Sequence, residues 1–430
     1  FTPTDKTYAG AVQPVTVQAA DTNGTTVTTT YTPTITPVKP TGTPVATEGI
    51  QGAEQSGTPT FTQGNDKVPM KIDADQPAKL VDPATGNPTN ETTIPAKDES
   101  GKQVGTYTIK PTTGEVTFTP NKDFRGTPVP ATVEAKDANG TPATAKYTPT
   151  VIPAVPIAVN EETEGIQGAV QEATPVFTAG GATVNDTEVV VPLDNNVPAK
   201  LVDPATKQPT DEKTVTVPNE GTYTIDETGK VTFTPEKTFT GTAKGIEVRR
   251  VDTNGTPATA KYTPTVKPAT PTATDAVTED VQGAKQTGNP VFTTGKATVN
   301  GTEVEVPFDT NVPTKLIDPK TGTPTTDPVV VPGEGTYTIN NGLVEFTPEK
   351  TFTGKTAGIG VRRVDTNGTP ATAKYTPVVK PATPTSSDVV TTNVQGATQE
   401  GTPTFKGGKV TINGQEKTVE IDEAVKPKFD

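Results

Sequence analysis

Residues 221–266 read GTYTIDETGKVTFTPEKTFTGTAKGIEVRRVDTNGTPATAKYTPTV, and this stretch recurs. One copy opens at Gly105 and another at Gly335, and a copy cut short opens the chain at Phe1. An internal repeat of roughly 115 residues is therefore the dominant feature of the 430-residue chain. Within the stretch, Tyr223 and Ile225 alternate with Thr222 and Thr224, and Val231 and Phe233 alternate with Thr232 and Thr234. Apolar residues at every second position predict half-buried β-strands. The polar joint between the two runs changes length from copy to copy while its flanks do not, which is what a hairpin tip tolerates.

A second hairpin follows. Residues 245–251 run into Asp252-Thr253-Asn254-Gly255, and the return strand reaches Tyr262. Asn-Gly between alternating runs predicts a tight turn with both central residues at positive φ. The same pair stands at Asn23-Gly24, Asn139-Gly140 and Asn367-Gly368. From that Asp to the tyrosine of Tyr-Thr-Pro is ten residues in every copy, ending at Tyr31, Tyr147, Tyr262 and Tyr375. Fixed spacing here marks the packed framework of each unit.

Each unit opens on Ile50-Gln51-Gly52-Ala53 or its equivalents at 166–169, 281–284 and 394–397. A short strand ending in Phe61, Phe177, Phe292 or Phe405 comes next, and then a Lys-Leu-Val-Asp-Pro motif at 79–83, 200–204 and, with Ile317, 315–319. From Gln to that Leu is 29 residues in the first unit and 34 in the next two, so the first unit has lost residues from a loop. The expected domains are a partial repeat at 1–38, repeats at 39–152, 153–266 and 267–379, and a second partial repeat at 380–430. Pro- and Thr-rich stretches at 37–47, 153–162, 267–276 and 380–389 read as short stiff linkers. All 13 Phe and 8 Tyr fall at repeated positions or replace an aliphatic residue there, Phe308 for Leu193 and Phe429 for Leu201. Such aromatics are core anchors. No run has a convincing helical period, so the fold class is all-β, a tandem array of β-sandwich (Ig-like) repeat domains.

Composition narrows the chemistry. The chain has no His, Cys or Trp. Without Cys each unit relies on its β-core, with no disulfide. Without His or Cys the Ser-His-Asp and Cys-His nucleophiles are excluded, and zinc and haem lack their usual ligands. The four serines, Ser56, Ser100, Ser386 and Ser387, form no nucleophile elbow. A net charge of −13 argues against nucleic acid, which needs a basic footprint. No apolar run has the ~18–20 residues of a membrane span. The expectation is no enzyme, no catalytic, cofactor or metal site, and no cofactor.

Three features carry sharper alternatives. Asp252-x-Asn254-Gly255 resembles the start of a calcium loop but lacks the closing Glu, and a hairpin turn accounts for it. Acids cluster where units begin, at Glu48, at Glu161, Glu162 and Glu164, and at Glu279 and Asp280, where calcium between units would stiffen the array. Arg249-Arg250 and Arg362-Arg363 precede the turn, with one Arg of each pair expected inward and one outward; an anionic ligand or an edge gatekeeper would explain them. Lys79, Lys200 or Lys315 would donate any intramolecular Lys–Asn isopeptide bond.

The motifs VTFTP, DTNGTPATAKYTPTV, GTYTI, LVDP and VQGA together resemble the CshA-type fibril repeats of streptococcal cell-surface adhesins, over essentially the whole chain. The resemblance implies a long array exported and attached to the cell wall of a Gram-positive bacterium, with host-ligand binding in a region not matched here. The expected function is a stalk segment of a fibrillar adhesin that projects a distal binding region, its partners in this stretch being the neighbouring repeats. The alternative is that the repeats themselves bind host matrix protein or glycan, or mediate contact between fibrils.

Overall fold

A computed structural model of the chain describes residues 1–428; Phe429, the aromatic read above as a replacement for Leu201, lies outside them with Asp430. Among the described residues there are strands and no helix. In the second repeat two sheets face each other. One runs Gln171–Ala173, Val231–Pro235, Gly221–Ile225, Thr214–Val217, antiparallel throughout. The other runs Glu161–Ile166, Pro257–Lys267, Ile246–Val251, Lys200–Val202. Its first pair is parallel, Glu161 opposite Tyr262 through Ile166 opposite Lys267. The first and third repeats have the same two sheets and the same parallel pair.

The predicted alternation is what fills the space between the sheets. Tyr223, Ile225, Val231 and Phe233 come from one sheet, and Leu201, Ile246, Val248, Tyr262 and Val266 from the other. Their threonine neighbours face out. The rings meet in a fixed pattern: Tyr223 lies 4.7 Å from its cross-strand partner Phe233 and meets Tyr262 edge-on at 6.2 Å. Tyr107, Phe118 and Tyr147, and Tyr337, Phe346 and Tyr375, repeat the arrangement. Tilted and edge-on pairs match the charge distribution of aromatic rings, each pair adding about 0.5–1.5 kcal/mol beyond area burial.

The stretches read as linkers are structured. Thr41–Thr43 pairs with Thr60–Thr62, Ile157–Val159 with Val176–Thr178, and Thr272–Thr274 with Val291–Thr293. Proline did not keep them out of the fold, because these ribbons are two-stranded and a residue without an N–H is tolerated beside their edges. Ala154 and Ala269 within them are fully buried.

Phe233 is fully buried at the centre of its sandwich. Phe233→Ala is expected to cost about 3–5 kcal/mol, seen in urea titration as one repeat unfolding early while the transitions of the other two hold their midpoints. Burial also raises the phenols of Tyr107 and Tyr223 well above the ordinary value, and that of Tyr337 to about 12. A raised phenol stabilises the fold below its unfolded value of about 10, and that contribution is lost as the pH climbs. Stability is expected to be flat to about pH 10 and to fall above it, with tyrosinate absorbance rising together with the loss of β signal in circular dichroism.

Candidate functional site: the joint between repeats

The Gln-Gly-Ala loop of each repeat is held at both ends by one buried relay. In the second repeat Thr163 Oγ1 donates to Gln171 Oε1 at 2.6 Å. Its single proton being used, the Tyr262 hydroxyl 2.9 Å away donates to it. Gln171 Nε2 donates onward to the Thr265 carbonyl at 3.1 Å. Thr163 precedes the loop and Gln171 follows it, while Tyr262 and Thr265 stand on the long strand. The loop is thereby stapled to the centre of its sheet. Thr47, Gln55 and Tyr147 build the same relay in the first repeat, and Thr278, Gln286 and Tyr375 in the third.

The loop so held receives the next repeat. Asn254 Nδ2 of the second repeat donates to the Gln51 carbonyl of the first at 2.9 Å. Asn367 Nδ2 of the third donates to the Gln167 carbonyl of the second at 2.8 Å. Lysine ammoniums of the earlier repeat reach the same turn, Lys122 to the Thr253 carbonyl at 3.1 Å and Lys237 to that of Thr366 at 3.3 Å. The Gln51 side chain is itself buried: its Nε2 donates to the Lys122 carbonyl and to Thr256 Oγ1, and its Oε1 accepts from Arg125 Nε. Beside these bonds lies a small apolar core. Ile50 and Ala53 of the first repeat pack with Ala154, Ala182, Val184, Val189 and Val191 of the second. Ile166 and Ala169 of the second pack likewise with Ala269, Ala297, Val299, Val304 and Val306 of the third.

The glycine of the loop is required twice over. Gly52 has φ +82° and Gly168 φ +80°, and a Cβ on Gly52 would stand 2.3 Å from Asn254 Oδ1. Asn254 itself departs from the sequence expectation. Among the described residues, Asn23, Asn139, Asn254 and Asn367 do not have positive φ; only the glycine after each does. Gly255 N donates to the Asp252 carbonyl at 2.9 Å and Asp252 N to the Thr256 carbonyl at 3.0 Å, the pattern of a type I turn closed by a left-handed glycine. Asp252 Oδ1 pins this turn by accepting from Asn254 N and Thr256 N. With the carboxylate capping the backbone, the asparagine side chain is left to reach outward to the neighbour.

The other candidates of the sequence fall elsewhere. Arg249 and Arg250 are both half-buried, on consecutive positions of the strand Ile246–Val251. Arg250 Nη2 donates to Asn195 Oδ1 at 2.9 Å. Arg363 lies 4.4 Å from the ring centre of Phe308, a cation–π contact explaining the aromatic there. Three of the acids at unit starts pair with lysines, Glu164 with Lys267 at 2.9 Å, Glu279 with Lys380 at 3.5 Å and Asp280 with Lys417 at 2.6 Å. The hydrogen bond from Lys267 holds the Glu164 carboxyl below its ordinary value. No group of three or more acids that could hold a metal occurs among the described residues. Lys79 Nζ donates to Asn90 Oδ1 at 2.7 Å at the surface, and Lys200 pairs with Asp211.

The repeat model of one family, described as the surface adhesin CshA repetitive domain, matches residues 37–151, 153–266 and 268–379. The chain belongs to the CshA repeat family. No curated protein matches it. Among solved structures, the I9–I11 tandem of titin is 12% identical, with 80% of this chain and 100% of that one covered at a TM-score of 0.27. Mouse cadherin-23 EC22–24 is 11% identical, with 80% and 99% covered at 0.26. The protocadherin GammaB4 extracellular domain is 12% identical, with 88% and 60% covered at 0.28.

Sequence reasoning found the Gln-Gly-Ala loop and the Asp-Thr-Asn-Gly turn of these CshA repeats but did not join them. It also missed Thr163 and Gln171. A signal was present, since a second Gln always stands four residues after the first, at Gln55, Gln171, Gln286 and Gln399.

Gly52→Ala and Gly283→Ala separate the joint from the loop. Both glycines have φ near +80°, so both substitutions cost about 1–2 kcal/mol in the loop. Only at Gly52 does the added methyl meet a neighbour, there being nothing within 4 Å at Gly283. Hydrogen exchange is expected to rise at the turn of residues 252–256 in Gly52→Ala, while Gly283→Ala leaves every inter-repeat contact protected.

Proposed function

We propose that this chain is a stalk segment of a cell-wall-anchored fibrillar adhesin on a Gram-positive bacterium, with no catalytic role, projecting a binding region that lies outside the residues given. The observation that carries this reading is the joint: the same loop, turn and apolar contact link the first repeat to the second and the second to the third. A head-to-tail contact used repeatedly in one chain makes length scale with copy number. The exposed area supports an array over a globule. The chain exposes 25493 Å², whereas a compact monomer of its mass would expose about 15,600 Å². Membership of a surface adhesin family places these repeats on the outer surface, and the ordered joints fit a role in reach.

Small-angle X-ray scattering of the chain tests the reading. The expected result is an elongated monomer with a maximum dimension on the order of 150 Å, the same in calcium and in chelator. A compact particle would overturn it, and a rod that shortens in chelator would point to a metal between units. Surface plasmon resonance against host matrix proteins separates the alternative: a stalk gives no binding at high chain density, and avidity-dependent capture would make the repeats themselves the adhesive element.

A further inference from the structure

The element that brings Val184, Val189 and Val191 to the first joint is a short β-hairpin, Gly180–Val184 with Thr187–Val191. It recurs as Gly295–Val299 with Thr302–Val306 and as Gly408–Ile412 with Gln415–Val419. The tips, Asn185-Asp186, Asn300-Gly301 and Asn413-Gly414, have both residues at positive φ, which makes each hairpin tight and self-contained. These hairpins belong to neither sandwich of their own repeat; each forms a separate two-stranded sheet. Their apolar faces are covered by the preceding repeat.

The third hairpin isolates its contribution. It sits in the last 51 residues of the chain, which contain no Asp-x-Asn-Gly turn. Even so, Ile412 is 3% exposed, and Lys417 Nζ stands 2.6 Å from Asp280 Oδ1 of the third repeat. The contact has changed on both sides together. Lys417 takes the hairpin position of Val189 and Val304, and Asp280 takes the strand position of Gly49 and Gly165. An apolar contact has become an ion pair at the same place, as a dedicated interface does.

The first repeat differs. Between Phe61 and Ile72 it has Thr-Gln-Gly-Asn-Asp-Lys-Val-Pro-Met-Lys, with a bridge from Asn65 to Val68 where the others have the hairpin. It keeps the turn asparagine, Asn139, but offers no valine face to a repeat before it.

We propose that the hairpin is the docking element that locks each repeat to the one before it, and that a repeat lacking it, as the first does, leaves a bending joint. Loop content between the Phe-ended strand and the Lys-Leu motif then writes stiff and flexible joints along the array. The turn asparagine is common to both kinds and orients the contact without fixing it. This inference concerns the joint alone and stands whether the array serves as a stalk or as a binding surface.

The test is double electron–electron resonance on the full chain. With no native cysteine, Thr108→Cys and Thr224→Cys, at equivalent exposed positions of the first two repeats, take the only spin labels. The parent is expected to give one narrow distance. Replacing residues 180–191 by residues 64–68 of the first repeat should give a broad distribution, with circular dichroism unchanged apart from the lost hairpin. Val189→Asp, which keeps the backbone and charges the apolar contact, should broaden it as well and covers the case in which the exchange misfolds. Asn254→Ala should stay narrow. A distribution that remains narrow in both hairpin variants overturns the proposal, and so does broadening by Asn254→Ala equal to that of the exchange.

Discussion

In each complete repeat the tyrosine of the Tyr-Thr-Pro motif carries a hydroxyl into the middle of a sandwich, where leaving it unpaired would cost about 1–3 kcal/mol. That requirement organises the repeat. Tyr262 is fully buried and meets it through Thr163, which in turn needs Gln171 as acceptor. The two partners flank the Gln-Gly-Ala loop, so satisfying one phenol fixes the ends of a loop that faces the neighbouring repeat. The parallel pairing of Glu161–Ile166 with Pro257–Lys267 serves the same demand, setting Thr163 opposite Pro264 with its hydroxyl 2.9 Å from that of Tyr262. A network of this kind specifies one arrangement among many that a thin, threonine-rich core would otherwise accept.

The joint shows how backbone energetics set which side chains are free. In a two-residue turn with both residues at positive φ, Asn254 would sit at the tip of its own hairpin. The turn formed instead spans Asp252 to Gly255, with the aspartate accepting the local N–H groups. Capping is done by the carboxylate, and the carboxamide is available to a carbonyl 203 residues away in sequence. Tight turns with both residues at positive φ occur at Asn300-Gly301 and its equivalents, on the hairpins that cover the joint from the other side, and also at Asn341-Gly342 within the third sandwich. Both turn types thus serve contacts between repeats, by different geometry.

Each repeat touches only its neighbours and carries its own core, so the array is close to a one-dimensional system of units and couplings. The couplings are small, a few aliphatic side chains and two or three hydrogen bonds, and they are not identical. Arg125 supports Gln51 in the first repeat where the second has Thr240. The last joint uses an ion pair where the others use valine. Variation of this kind leaves the sandwiches unchanged, because the residues involved lie outside the buried clusters of Tyr, Phe and Val.

The sequence by itself determined the repeat, its β-class, the alternating strands with their buried aromatics, the hairpin ending at Asp252 and the family. These are local facts: period two, turn chemistry and recurrence at fixed spacing are properties of neighbouring residues, and Tyr223, Phe233 and Tyr262 have buried counterparts in every complete repeat. Tertiary structure alone decided that Asn254 meets Gln51, that Thr163 and Gln171 satisfy Tyr262, that the proline-rich stretches are paired strands, and that the 180–191 hairpin belongs in function to the repeat before it. The physical reason is that a buried polar group must be paired but its sequence does not say with what. The partner is chosen by the register of a parallel pair whose strands lie some hundred residues apart, and by the docking of one folded unit on the next.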